Sequence, residues 1–177
     1  HKTAWSSRGC PFNCSYCFNH SYKKIYQGQG KTFRQRSVDS LIQELKQLKT
    51  YGWKCLTFND DHFLMSPQWV TEFCERYSRE INLPFICCST AKSITADIVS
   101  KLKNAGCRCV SFAIESGVER IRREIYKKPV SNADIISAAQ ALHSVNLPFQ
   151  TFNMIGLPEE TIDDIYVKSS INQFIIG

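Results

Sequence analysis

The chain has no apolar run approaching the length of a membrane span, and nothing in it reads as a transmembrane helix. It shows no secretory leader, because the first ten residues are polar and hold no apolar segment. There is no short-period repeat, no low-complexity tract and no linker that would divide the 177 residues, so one domain is expected over 1–177 and no second. No histidine carries a motif tying it to a nucleophile, which excludes a serine or cysteine protease arrangement. Gly28-Gln29-Gly30 is too short, and lacks the strand-to-helix context, for a phosphate loop. A disulfide framework is missing too: the nine cysteines are odd in number and irregular in spacing.

What is present is an ordinary globular composition, 43% hydrophobic and 21% charged. Six of the cysteines (Cys55, Cys74, Cys87, Cys88, Cys107, Cys109) lie in or beside apolar segments, where a thiol acts as a small buried hydrophobe. This usage predicts a reducing, cytoplasmic setting. The net charge is +6, with cations gathered at Lys23, Lys24, Lys31, Arg34 and Arg36 and again at Arg120, Arg122, Arg123, Lys127 and Lys128. Such groups attract an anionic substrate or RNA. Solvated faces are the plainer reading, and RNA stays a minority expectation.

The other three cysteines, Cys10, Cys14 and Cys17, stand in a C-x3-C-x2-C run with Tyr16 before the third. A four-iron cubane normally takes four cysteines, so three thiolates on one loop leave one iron open to a substrate or cofactor. The same loop allows a different metal. His20 follows Cys17 at a C-x2-H interval, and Cys10, Cys14, Cys17 and His20 make a Cys3His set suited to zinc. A cluster-holding module without catalysis is a further alternative.

Along the chain, strands and helices alternate. A strand over Thr3–Arg8 runs into the cysteine loop, and a polar connection over about 19–36 follows. A helix starts at Ser37 as N-cap, with Val38, Leu41, Ile42, Leu45 and Leu48 on one face, and ends near Gly52. The second strand covers Lys54–Asn59, and Ser66-Pro67 opens the next helix. The third strand is Pro84–Ser89, followed by a helix from Thr95 to Gly106. The fourth strand, Arg108–Ile114, ends at Glu115-Ser116-Gly117. A short helix carries Ile121 and Ile125, and another begins at Ser131 with Asp134 as a weak capping pair. The fifth strand is Phe149–Ile155; Gly156-Leu157-Pro158 then turns into a last helix near Thr161. This pattern predicts parallel pairing with right-handed crossovers, as either a doubly wound sheet or a β/α barrel. Both gather functional groups at the carboxyl ends of strands. The cysteine loop, Asn59-Asp60-Asp61, Ser89-Thr90, Glu115-Ser116 and Asn153 all fall there.

These motifs together resemble the radical S-adenosylmethionine (radical SAM) superfamily. C-x3-C-aromatic-C after a first strand carries the resemblance, supported by Asn59-Asp60-Asp61-His62-Phe63, Ala113-Ile114-Glu115-Ser116-Gly117 and Phe152-Asn153-Met154-Ile155-Gly156-Leu157-Pro158-Glu159-Glu160-Thr161. The flavour is that of the branch whose members often carry a cobalamin-binding domain. The resemblance implies an α/β fold, a partial (β/α)6-type TIM-like barrel with about five β/α units, truncated at both ends. It implies that Cys10, Cys14 and Cys17 bind a [4Fe–4S] cluster whose open iron takes S-adenosylmethionine. Reductive cleavage of that cofactor would give a 5′-deoxyadenosyl radical for hydrogen abstraction. It further implies cofactor contacts from Tyr16, Asn59, Asp60, Asp61, Ser89, Glu115, Ser116, Asn153, Met154 and Ile155, although strand alternation leaves open which neighbours face inward. A small-molecule substrate and an electron donor of flavodoxin or ferredoxin type are the expected partners, with cobalamin supplied by a domain outside this chain. Cobalamin-dependent methylation is one implied reaction and tRNA modification another. The matches along the chain count against zinc. Two local departures stand out: Glu159 where glycine is usual, and Lys92 where many relatives carry an arginine-containing run. A barrel short of a unit exposes a strand edge, which predicts poor solubility for this chain alone.

Overall fold

The computed structural model describes residues 2–156 and 159–176, so Leu157 and Pro158 of the expected Gly156-Leu157-Pro158 turn lie outside the described residues. The chain order is β1 (Lys2–Ala4), β2 (Ser7–Arg8), α1 (Phe18–Ile25), β3 (Arg34–Gln35), α2 (Val38–Lys49), β4 (Leu56–Phe58), α3 (Pro67–Glu80) and β5 (Phe85–Ser89). There follow a 3-10 turn (Ala91–Ser93), α4 (Ala96–Asn104), β6 (Cys107–Glu115), a π-helical turn (Ile121–Ile125), α5 (Asn132–Ser144), β7 (Phe149–Asn153) and α6 (Ile162–Ile176).

Five strands form one parallel sheet in the order β1-β4-β5-β6-β7. Each new strand adds beside its predecessor. A doubly wound sheet must reverse that order at a switch point, so the sequential order selects the partial barrel over the open sheet.

The helices form where capping and apolar spacing agree. Ser37 accepts from the Ser40 amide at the start of α2, whose Val38, Leu41, Ile42 and Leu45 are buried. Ser66 caps α3 with Pro67 in its first turn. The pair read as weak in sequence is a full capping box: Ser131 Oγ accepts from the Asp134 amide, and Asp134 accepts from the Ser131 amide. Between α3 and the sheet, Phe58, Phe63, Phe73, Tyr77 and Phe85 pack ring to ring, with Phe58–Phe63 centroids 4.8 Å apart. Of the six cysteines expected to act as buried hydrophobes, Cys74, Cys87 and Cys107 are buried among apolar groups, whereas Cys55, Cys88 and Cys109 are only half-buried.

Four sequence expectations need correction. The first strand does not run unbroken over Thr3–Arg8: β1 stops at Ala4, and β2 joins β3 in a separate antiparallel ribbon. The physical cause is Asp60, whose carboxylate takes the Ser6 amide at 3.0 Å together with the Ser6 and Ser7 hydroxyls, and so draws the backbone off the ladder. The connection over 19–36 contains α1 and β3. Helix α1 buries none of its residues, so it has no core-facing stripe to read. The fifth strand ends at Asn153, which leaves Met154 and Ile155 beyond it. The short helix carrying Ile121 and Ile125 is π-helical, a form often found at functional sites.

Candidate functional site

The cysteine loop begins at Gly9, whose φ of 80° lies in the left-handed region. A Cβ there would stand 2.1 Å from the Thr32 carbonyl oxygen, so only glycine lets the loop leave the β2–β3 ribbon this closely. Cys10, Cys14 and Cys17 are free thiols, each half-buried. The loop is tethered on two sides. Ser15 donates from its amide to the Tyr126 carbonyl at 2.9 Å and from its hydroxyl to the Ile125 carbonyl at 2.7 Å, at the end of the π-helical turn. Lys23 of α1 donates to the Phe12 carbonyl and to Asn13 Oδ1.

Opposite the loop, β6 ends in an irregular register at Glu115, which has φ 67°. A non-glycine residue held left-handed costs roughly 1–2 kcal/mol, and an end-of-strand irregularity of this kind re-aims a side chain. The Glu115 carboxylate accepts from Tyr16 Oη at 2.8 Å and Lys128 Nζ at 3.2 Å, and both charged side chains are nearly buried. Tyr16 is therefore tied by its hydroxyl to β6, with its ring edge-on to Tyr126. Burial, reinforced by Glu115, holds the Tyr16 phenol protonated far above its ordinary range. Burial also pushes the Cys10 and Cys14 thiols up; Lys128 pulls Cys14 the other way, as Lys23 does Cys10.

The expected site residues divide into two groups. Asp60 is buried and fully engaged with Ser6 and Ser7. Its neighbours Asn59 and Asp61 instead line a cavity of about 340 Å3 with Trp5 and Arg8. Ser116 is buried, its hydroxyl accepting from the Val118 amide and its carbonyl from Arg122. Ser89 is buried at the end of β5, and among the described residues neither its hydroxyl nor Tyr126 Oη has a hydrogen-bond partner. Asn153 is exposed and exchanges hydrogen bonds with Asn172. The Met154 amide donates to the Glu115 carbonyl at 3.0 Å, while the Ile155 side chain is exposed. The structure thus brings Tyr16, Glu115 and the cysteine loop together, with Met154 tied to Glu115 through the backbone. Asp60 and Ser116 make their hydrogen bonds to neighbouring backbone and side chains. Lys92 is exposed on the 3-10 turn.

Two contributors were hidden in the sequence. Lys128 sits in a cation run indistinguishable from a solvated face, and only tertiary contact makes it the partner of Glu115. Arg122 is completely buried; it donates to the Ser116 and Val130 carbonyls and to Asn132 Oδ1, so it braces the segment that delivers Lys128. His62 is a core residue: it is buried, with Nε2 3.0 Å from Thr90 Oγ1 and 3.1 Å from Ser93 Oγ. Burial pushes its pKa down to about 4.

Among the described residues, no three His, Cys, Asp or Glu side chains converge closely enough to hold a single metal ion. A cubane binds its cysteines at separate irons and needs wider spacing than one ion does. The donor chemistry fits such a group: free thiols on an anchored loop, with the Lys128 charge acting on Cys14. No helix among the described residues is long and apolar enough to cross a membrane.

Comparison with known proteins agrees with this geometry. The Radical SAM superfamily model matches residues 6–167. An uncharacterized methyltransferase of Pyrococcus horikoshii is 30% identical over 162 residues, spanning 90% of this chain and 34% of that protein. The cytidylyl-2-hydroxyethylphosphonate methyltransferase of Streptomyces wedmorensis is 26% identical over 160 residues, 87% of this chain and 28% of that protein. The chain therefore spans about a third of the length of these curated relatives. The radical S-adenosylmethionine methyltransferase TsrM from Kitasatospora setae, solved with cobalamin and a [4Fe–4S] cluster, shares the fold with a TM-score of 0.85 at 16% identity, over 99% of this chain and 35% of that one.

Proposed function

The chain belongs to the radical SAM superfamily, and from that membership we propose that Cys10, Cys14 and Cys17 hold a [4Fe–4S] cluster that works with S-adenosylmethionine in a methyl-transferring enzyme. The observation that carries this reading is the anchored loop of three free thiols facing the Glu115–Lys128 pair. When bound, the cluster and its cofactor supply one-electron cleavage of a carbon–sulfur bond. The protein's own groups hold and orient. Lys128 sets a positive charge beside Cys14 and favours its thiolate. Tyr16, kept protonated, donates to Glu115 and fixes the carboxylate at the loop. Ser89 offers a buried hydroxyl that has no hydrogen-bond partner among the described residues. Asn59 and Asp61 place an amide and a carboxylate in one cavity, where the carboxylate suits an ammonium group.

Methyl transfer is supported by the names of the two curated relatives, and cobalamin, held by a domain outside this chain, by the content of the TsrM structure. A small-molecule substrate and a one-electron donor of flavodoxin or ferredoxin type complete the reading. The test is anaerobic reconstitution of the whole protein with iron and sulfide. A brown protein that cleaves S-adenosylmethionine to 5′-deoxyadenosine under dithionite, and loses both properties in Cys14→Ala, is the expected result. A colourless protein carrying stoichiometric zinc overturns it. A brown protein that cleaves none leaves only a cluster-holding module.

A further inference from the structure

A cavity of about 670 Å3 opens between α1 and the β2–β3 ribbon, with Gly9 and Cys10 of the cysteine loop in its wall. This volume suits a small molecule. Its walls carry Arg8, Lys23, Lys31 and Arg34 and no carboxylate. Among the described residues no ion pair reaches any of these four cations. Lys23 meets only the uncharged Phe12 carbonyl and Asn13 amide. Asp61 borders an adjoining cavity with Arg8, again without an ion pair.

The ribbon makes the charge arrangement more pointed. Arg8 and Arg34 are direct partners across it, in one of its only two residue pairs. Like charges at opposed strand positions are destabilising. Among the described residues no ion pair offsets this repulsion, and an anion in the cavity would.

The cavity's shape is set by the backbone. The close crossing at Gly9 holds Thr32 and Phe33 against Gly9. Gly28 and Gly30 both have positive φ with open space where a Cβ would be, so this loop offers bare backbone. On the facing wall stand Tyr22 of α1 and Tyr26, the residue that caps its C-terminus, their rings 8° from parallel and 5.8 Å between centroids. Both are substantially exposed, and α1 contributes nothing to the core. Aromatic faces beside cations stack a planar base.

We propose that this cavity binds a small molecule of the nucleoside mono- or diphosphate class. Arg8, Lys31 and Arg34 take the phosphate, and Tyr22 and Tyr26 take the ring. An acidic protein or an RNA strand would use a broad face rather than a concave pocket of this volume. Cys10, a proposed cluster ligand, borders the cavity, but the phosphate and ring contacts fall to other side chains.

The whole protein, loaded with its cluster and saturated with S-adenosylmethionine, is titrated calorimetrically with pyrophosphate and with cytidine and adenosine diphosphates. Saturable binding that weakens with added salt is expected. Arg34→Glu, at an exposed position, weakens every probe by about tenfold or more, the loss of a charge-assisted contact. Tyr22→Ala weakens the nucleotides several-fold and leaves pyrophosphate unchanged. Iron content, measured in each variant, stays at the parent level. The proposal is overturned by three results: no saturable binding, affinities that Arg34→Glu and Arg8→Glu leave unchanged, or tighter binding of a single-stranded RNA oligonucleotide than of any nucleotide. A protein that takes up no iron yet binds nucleotides keeps this site and removes the cluster reading, so the two fail separately.

Discussion

Glu115 and His62 show how single residues are put to use. Glu115 holds a left-handed backbone at the end of a buried strand and spends its carboxylate on Tyr16 and Lys128. Strain of that kind persists only where the surroundings enforce it, and it gathers at working sites. His62 does the opposite: it is neutral, buried and part of the core. Its pKa falls from the ordinary 6.5 to about 4 in the folded chain. The unfolded chain therefore takes up a proton that the folded chain refuses. Stability contributed by the neutral ring is present above about pH 6.5 and is lost as pH falls toward 4, by roughly 3 kcal/mol in total. Denaturant melts across that window should show this slope in the parent protein and a flatter one in His62→Gln. Equal slopes would remove the role given to His62. Neither residue's role was legible beforehand: Glu115 was marked by its place after a strand, but its partner Lys128 looked like any surface cation.

Among the elements, the ribbon of β2 and β3 does more than its length suggests. It turns the chain away from β1 through the Asp60 carboxylate and aims it into the cysteine loop. Gly9 is its critical point. Gly9 and Gly28 share nearly the same positive φ, 80° and 78°, but only Gly9 has backbone in the way. Gly28→Ala should cost about 1 kcal/mol, the left-handed penalty alone. Gly9→Ala adds a clash with the Thr32 carbonyl and should lower both the melting temperature and the iron retained after reconstitution. Melting and iron assays on the two variants check this, and equal losses would contradict it. The long helices were readable because caps and apolar spacing coincide, as at Ser37, Ser66 and Ser131. The ribbon and α1 were not, because two-residue strands carry no period and α1 turns no face to the core.

For the whole molecule, the sequential strand order decides that these residues build part of a barrel wall, with α3 and its aromatic cluster behind it. Within the described residues, β1 and β7 are the sheet's two edges. Unpaired edges template association. The chain of residues 1–177 produced alone should self-associate in a concentration-dependent way, as read by sedimentation or size-exclusion chromatography. A stable monomer at high concentration would contradict this.

The β/α alternation, the main helices and the three-cysteine loop are all legible in the order of residues, because capping, period and ligand spacing are local properties carried by neighbours along the chain. That order also marks the strand ends where polar groups collect. Only the tertiary structure decided which of those groups meet. Asp60 was drawn to Ser6 and Ser7, Asn59 and Asp61 were left at a cavity, Lys128 was delivered to Glu115 by a buried Arg122, and Arg8 was set against Arg34. Each of these joins residues distant along the chain or turns on which side of a strand faces inward, and no local pattern encodes a contact between segments that meet only when the sheet closes.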